Sequence, residues 1–162
     1  MIGGITIKFG ESLEAGKKFE KYIKSLFETD EFEILQESES YNYDDLDLLI
    51  RCKNTRFTFW VECKYRENFK EYEYDGRIFY NIKWSNDAEN DFDKFFQKKE
   101  PVYLAIGIGR SPDNPARLFF FNFQEILEYT EQPFRGILYR EFYIEYEKDT
   151  NKKFRWFPEI CQ

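Results

Sequence analysis

The sequence predicts a single α/β domain over residues 1–162, with a mixed central β-sheet flanked by helices. Three observations lead there. Apolar residues recur at helical spacing in some stretches, short runs rich in aromatic and β-branched residues alternate between apolar and polar positions, and the two kinds of segment interleave along a chain of one-domain length. With 42% hydrophobic residues, among them 19 Phe, 12 Tyr and 3 Trp, the chain can build a ring-rich core although 34% of its residues are charged.

The segment ESLEAGKKFEKYIKSLFETD opens on a candidate cap, Ser12, and places Ala15, Phe19, Tyr22, Ile23, Leu26 and Phe27 on one face, predicting an amphipathic helix over residues 12–28. FEILQES at 32–38 reads as a strand, and a polar stretch leads to DDLDLLIRC and TRFTFWVECKY, which read as a β-hairpin. Residues 66–83 show no clean period and read as loop with short strands. SNDAENDFDKFFQKK, with Ser85 as a candidate cap and Pro101 as a stop, predicts a second helix. VYLAIGIG reads as a buried strand, GRSPDNPA as a loop, RLFFF as a strand and FQEILEY as a short helix. The tail REFYIEYEKDTNKKFRWF reads as a hairpin turning at Thr150 and Asn151, within 134–158, behind a core spanning 12–130.

Composition removes several chemistries. There is no histidine, which excludes a Ser-His-Asp triad, a Cys-His pair and a His-ligated zinc or haem. The formal charge is −7 from 24 basic and 31 acidic residues, so carboxylates, Lys, Tyr and Cys remain, with acid enough to hold a hard cation. Cys52, Cys63 and Cys161 show no CxxC spacing, and the first residues lack the apolar core of a signal peptide. With no apolar run long enough for a membrane span, a reduced, cytoplasmic, non-membrane protein is the expectation.

The hairpin carries the chemistry. If it closes so that Lys53 faces Arg56, Asp47 stands opposite Glu62. Leu46, Leu48, Ile50 and Cys52 then share an apolar face with Phe57, Phe59, Val61 and Cys63. The other face carries Asp45, Asp47, Leu49, Arg51, Thr58, Trp60, Glu62 and Lys64. A slip of one residue would misalign the two apolar sets, so the parity holds even for a turn two residues longer. Like charges opposite one another in a sheet repel unless something intervenes. A divalent cation would intervene, and two carboxylates with a neighbouring ammonium suit metal-assisted phosphodiester hydrolysis. The bland alternative makes these residues the solvated face of an ordinary sheet. Leu49 and Trp60, on the same face, argue that something covers it.

These residues resemble the restriction-endonuclease-like, PD-(D/E)XK, nuclease superfamily: Asp47 in DLDLLI, Glu62-Cys63-Lys64 in FWVECKY, and the upstream helix GKKFEKYI with Glu20. The resemblance implies a restriction-endonuclease-like fold in which Asp47 and Glu62 bind Mg²⁺, for which Mn²⁺ substitutes, Lys64 assists the water, and Glu20 and the Cys63 backbone carbonyl complete the metal site. Leu46 stands where the family often has Pro, and Asp45 could take the role of Asp47. Glu20 lies about 100° from the centre of the apolar stripe, compatible with an active site and with solvent alike. The implied activity is a Mg²⁺-dependent endonuclease hydrolysing DNA to 5′-phosphate products. The alternative is a non-catalytic binding or assembly module of a DNA defence or repair complex, favoured by the charge of −7. Either reading is compatible with a homodimer or a subunit of a larger complex.

Weaker features complete the reading. Lys148, Lys152, Lys153 and Arg155 beside Phe154 and Trp156 suit phosphate pairing and base stacking, though a charged hairpin tip explains them too. GIGRSP, at 107–112, reads as a loop rather than a dinucleotide site, the acidic stretch from Glu28 to Asp47 as solvated surface or connecting loop, and Cys63 as core rather than nucleophile.

Overall fold

Five strands form a mixed sheet in the order β1-β2-β3-β6-β7: β1 (Phe32–Glu37), β2 (Leu48–Cys52), β3 (Thr58–Arg66), β6 (Val102–Ser111) and β7 (Asn114–Asn122). The structure, a computed structural model, describes residues 2–37, 46–67, 70–85, 98–122, 124–125 and 139–145. The pairs are antiparallel except β3–β6, which is parallel and closes through a crossover after β3. A second sheet has the order β4-β5-β8, with β4 (Lys70–Tyr74), β5 (Arg77–Ser85) and β8 (Tyr139–Glu145). The α/β fold class read from the sequence is the one observed.

The predicted hairpin has its predicted register. Leu48, Leu49, Ile50 and Arg51 pair with Val61, Trp60, Phe59 and Thr58. The loop is four residues, Lys53 to Arg56: Cys52 N–H donates to the Phe57 carbonyl at 2.8 Å, Arg56 N–H donates to the Cys52 carbonyl at 2.8 Å, and Arg56 takes φ 59° to close it.

The apolar face of this hairpin is covered by α1 (Ile2–Phe27), whose Phe19, Ile23 and Phe27 join Leu48, Ile50, Phe59, Val61 and Cys63 in one buried cluster. The helix begins at Ile2 and not at Ser12, which is internal. Elongating a nucleated helix adds a hydrogen bond per residue, which outweighs the few tenths of a kcal/mol that an internal Ser costs. At the other end Lys24 ties the helix to β1 through Glu37 at 2.5 Å.

A glycine sets how closely the helix approaches. A Cβ on Gly107 of β6 would meet Cζ and Cδ1 of Phe19 at 2.9 and 3.0 Å, closer than carbon atoms pack, so the ring lies over a position only glycine can hold. Gly107 lies in the strand expected at VYLAIGIG and not in a loop formed by GIGRSP. The strand continues to Ser111, which pairs with Asn114 across a short turn at Pro112 and Asp113, so the expected loop GRSPDNPA is the meeting point of β6 and β7.

Residues 66–83, expected as loop with short strands, are mostly strand. They hold the hairpin β4–β5, whose two-residue turn Asp75-Gly76 has φ 54° and 74°, the type I′ geometry that an Asp-Gly pair favours. Ser85 ends β5 rather than capping a helix, because the strand runs on to pair it with Tyr139. The rest of the expected second helix lies outside the described residues, as does the expected turn at Thr150 and Asn151. The segment before that turn is β8, paired with β5. At the start of the expected short helix, Asn122 and Glu125 bond reciprocally, side chain to N–H, at 2.9 and 3.2 Å, which is a capping box. Cys63 is a free thiol.

Candidate active site

The far face of the sheet is also covered: Trp60, Leu104, Ile106, Ile108, Phe119 and Phe121 are all at most 5% exposed. Glu62, on that face by strand alternation, is 7% exposed and is the buried charged residue among those described. A buried carboxylate needs a partner. Lys64, one pleat further along β3, places Nζ 3.3 Å from Glu62 Oε1, with the lysine side chain 17% exposed.

Asp47 sits in the bend before β2. The β2–β3 ladder ends at Leu48 and Val61, so Asp47 stands just past the ladder and not within it as the partner of Glu62. Its carboxylate extends the ladder instead: Oδ2 accepts a hydrogen bond from the Cys63 N–H at 2.7 Å. The N–H and C=O of a strand residue point to the same edge, so the Cys63 carbonyl opens on the Asp47 side. The Cys63 thiol lies on the apolar face, and burial pushes it well up from its ordinary pKa, which makes it a poor nucleophile.

Glu20 follows Phe19 on α1, and its side chain lies beside the Asp47 carboxyl, close enough for each to shift the other. Burial, and then the Glu20 charge, pushes Asp47 up to about 7 against the pull of the Cys63 hydrogen bond and Lys64. Burial likewise raises Glu20, opposed by its contact with Asp47, with the Glu62 charge adding to the rise and Lys64 and Lys17 drawing it down. Glu20, Asp47, Glu62 and Lys64 therefore form one electrostatic cluster, assembled by a helix and two strands. Asp45, Lys148, Lys152, Lys153, Arg155 and Trp156 lie outside the described residues.

No group of three or more His, Cys, Asp or Glu is arranged to hold a metal ion among the described residues. The donors nevertheless fit a cation that keeps most of its waters, since such an ion takes one or two carboxylates and not a full cage. The feature in favour is the crowding itself: three acids, Glu20, Asp47 and Glu62, act on one another in one cluster, and an added positive charge would relieve their repulsion.

Sequence reasoning does not single out Arg66, the next residue on the face of Glu62 and Lys64. It is largely buried, donates Nη1–H to the Tyr65 carbonyl at 2.9 Å, and has its pKa lowered by burial. Strand parity beyond Lys64 was the signal for it. Trp60 is fixed on the same face by its Nε1–H, which donates to Glu100 Oε2 at 3.1 Å, and by the Lys98 ammonium 4.3 Å from its ring centre.

The fold can now be set beside known proteins. No family model matches the sequence, and no curated protein matches it. Among solved structures, a Holliday junction resolvase is similar. It comes from the hyperthermophilic archaeon Archaeoglobus fulgidus, with TM-score 0.46 and 17% identity over 78% of this chain and 82% of that one. No described helix is long and apolar enough to cross a membrane.

Proposed function

We propose that this chain is a divalent-metal-dependent nuclease that hydrolyses phosphodiester bonds in DNA, with its site at Glu20, Asp47, Glu62 and Lys64. The observation that carries the reading is a buried Glu62–Lys64 ion pair flanking the Cys63 N–H that holds the Asp47 carboxylate at 2.7 Å. An ordinary solvated sheet face has no reason to bury either.

Asp47, Glu62 and the Cys63 carbonyl, with Glu20 behind them, would hold Mg²⁺ or Mn²⁺. The ion supplies positive charge against a phosphate and makes a water more acidic. The chain's own groups do the rest. The Cys63 N–H fixes the Asp47 carboxylate, and Glu62 holds the Lys64 ammonium at the site, where it offsets charge gathering on the phosphate oxygens. Glu20 crowds Asp47, and a bound cation would relieve that crowding.

The test is nicking of supercoiled plasmid DNA by the purified protein with Mg²⁺ or Mn²⁺. Cleavage that Asp47→Ala and Lys64→Ala abolish is the expected result; cleavage indifferent to both changes overturns it. The second reading, a non-catalytic binding module, is favoured by the net charge of −7, because stand-alone DNA binders present basic surfaces. Calorimetry with Mn²⁺ separates the two: no heat of binding favours the module.

A further inference from the structure

We propose that Arg66, Arg110 and Arg117 form a phosphate-binding row that holds the DNA backbone beside the candidate active site, a proposal that rests on the nuclease reading for its choice of polymer. Strand pairing lays three rows across the far face of the sheet. Glu62 aligns with Leu104 and Phe121, Lys64 with Ile106 and Phe119, and Arg66 with Ile108 and Arg117. Along β7 this face therefore runs from Phe121 and Phe119, both fully buried, to a half-buried Arg117. One pair further on, Arg110 stands opposite Pro115 and is exposed. The face thus changes from apolar to cationic at the end where β3 finishes, next to Lys64.

Folding does not call for these charges. A third ring at position 117 would simply extend the buried face. Arg66 is charged and largely buried, and that burial lowers its pKa. Arg110 holds φ 59°, a left-handed conformation that strains a residue with a Cβ and that glycine takes without strain. Among the described residues, the acids at this end of the sheet are Glu67 and Asp113. After burial itself, their charges raise the Tyr65 phenol, whose ring packs beside Phe19 on the helix-bearing face.

Strand geometry puts Arg66 about 6.6 Å beyond Lys64 and Arg117 about 9.5 Å across the sheet from Arg66. A nucleic-acid strand with one phosphate at Lys64 would bring its neighbours along the backbone to this row. Guanidinium groups suit the task, because their planar fork pairs with two phosphate oxygens at once. The charge complementarity is local, which reconciles it with a chain of net charge −7.

The test is fluorescence anisotropy of a labelled DNA duplex without metal, over a series of salt concentrations. Arg110→Gly removes the charge and relieves the backbone, so its melting temperature is expected at or above that of wild type. Arg117→Gln is the second variant. Each is expected to weaken binding about five- to tenfold near 0.1 M salt and to lower the slope of log affinity against log salt by about 0.9. Arg56→Gly is the matched control: Arg56 is exposed and has the same φ of 59°, but lies before β3 at the other end of that strand. It should bind as wild type. A wild type that does not bind the duplex, row variants that bind as tightly as wild type, or an equal loss in Arg56→Gly overturns the row. If plasmid nicking still depends on Asp47 and Lys64 in that case, the nuclease reading stands without it; binding through Arg110 and Arg117 with no nicking leaves the row standing alone.

Discussion

The Asp47 carboxylate is held by the backbone of Cys63, the residue between Glu62 and Lys64 on β3, at 2.7 Å. One main-chain hydrogen bond thus fixes the acid on the bend against the acid and the amine on the strand. Asp47→Asn, which cannot accept as a carboxylate does, is expected to remove cleavage by about 10²-fold or more while the protein stays folded. Plasmid nicking and circular dichroism check the two halves of that statement.

Asp47 and Glu20 are raised above their ordinary carboxylate range, Asp47 to about 7. A raised carboxyl stabilises the fold below its unfolded pKa, and that contribution is lost as pH rises through the folded value. The metal-free protein is therefore expected to melt at falling temperature between pH 4 and about 7, each kcal/mol lost lowering Tm by roughly 2–4 °C. Asp47→Asn should flatten this slope. An unchanged slope in the variant would show that the acid pair is not its source.

Added cation should reverse the loss. At pH 8, Mg²⁺ at about 100 times its Kd would stabilise the fold by about 2.7 kcal/mol. Thermal melting with and without Mg²⁺ measures this, and the increment should vanish in Asp47→Ala.

Lys64 partners a nearly buried carboxylate, so Lys64→Ala leaves Glu62 in a poorer environment and is expected to destabilise the fold as well as to stop cleavage. Lys64→Arg keeps the charge on a longer, planar group and should recover most of the stability but little of the activity. Urea unfolding read beside plasmid nicking distinguishes these outcomes.

Gly107→Ala places a methyl group against the Phe19 ring and is expected to destabilise by roughly 1–3 kcal/mol. The ring must move, and Glu20 is the next residue on the helix. The variant should therefore also weaken Mg²⁺ stabilisation, unlike a surface change such as Lys53→Ala, which touches neither helix nor site.

The β2–β3 register was legible because side-chain direction has a period of two: Leu48, Ile50, Phe59 and Val61 align in one register and clash with polarity in the next. That was enough to bring Asp47, Glu62 and Lys64 into one neighbourhood. The Asp47–Cys63 bond was not legible, since a backbone N–H is the same whatever residue carries it. Nor could the helix period place Glu20, because its position beside Asp47 depends on how closely α1 approaches the sheet, which Gly107 sets from far along the chain. The Asp75-Gly76 pair is a local hairpin signal that the aperiodic reading of 66–83 passed over. The pairing of Lys83 with Glu141, which assembles the second sheet, is a long-range contact with no local signature.

Along the five-stranded sheet, the outermost strands carry their own stops. β1 is interrupted by a bulge between Ile34 and Gln36, and its Glu33 and Glu37 are tied to Arg51 and Lys24 at 2.5 Å each. β7 contains Pro115, which has no N–H to offer a neighbour. Such edges resist strand addition and the aggregation it seeds. Strand addition at these two edges is therefore disfavoured, and the sheet that holds Glu62 and Lys64 would keep its five strands.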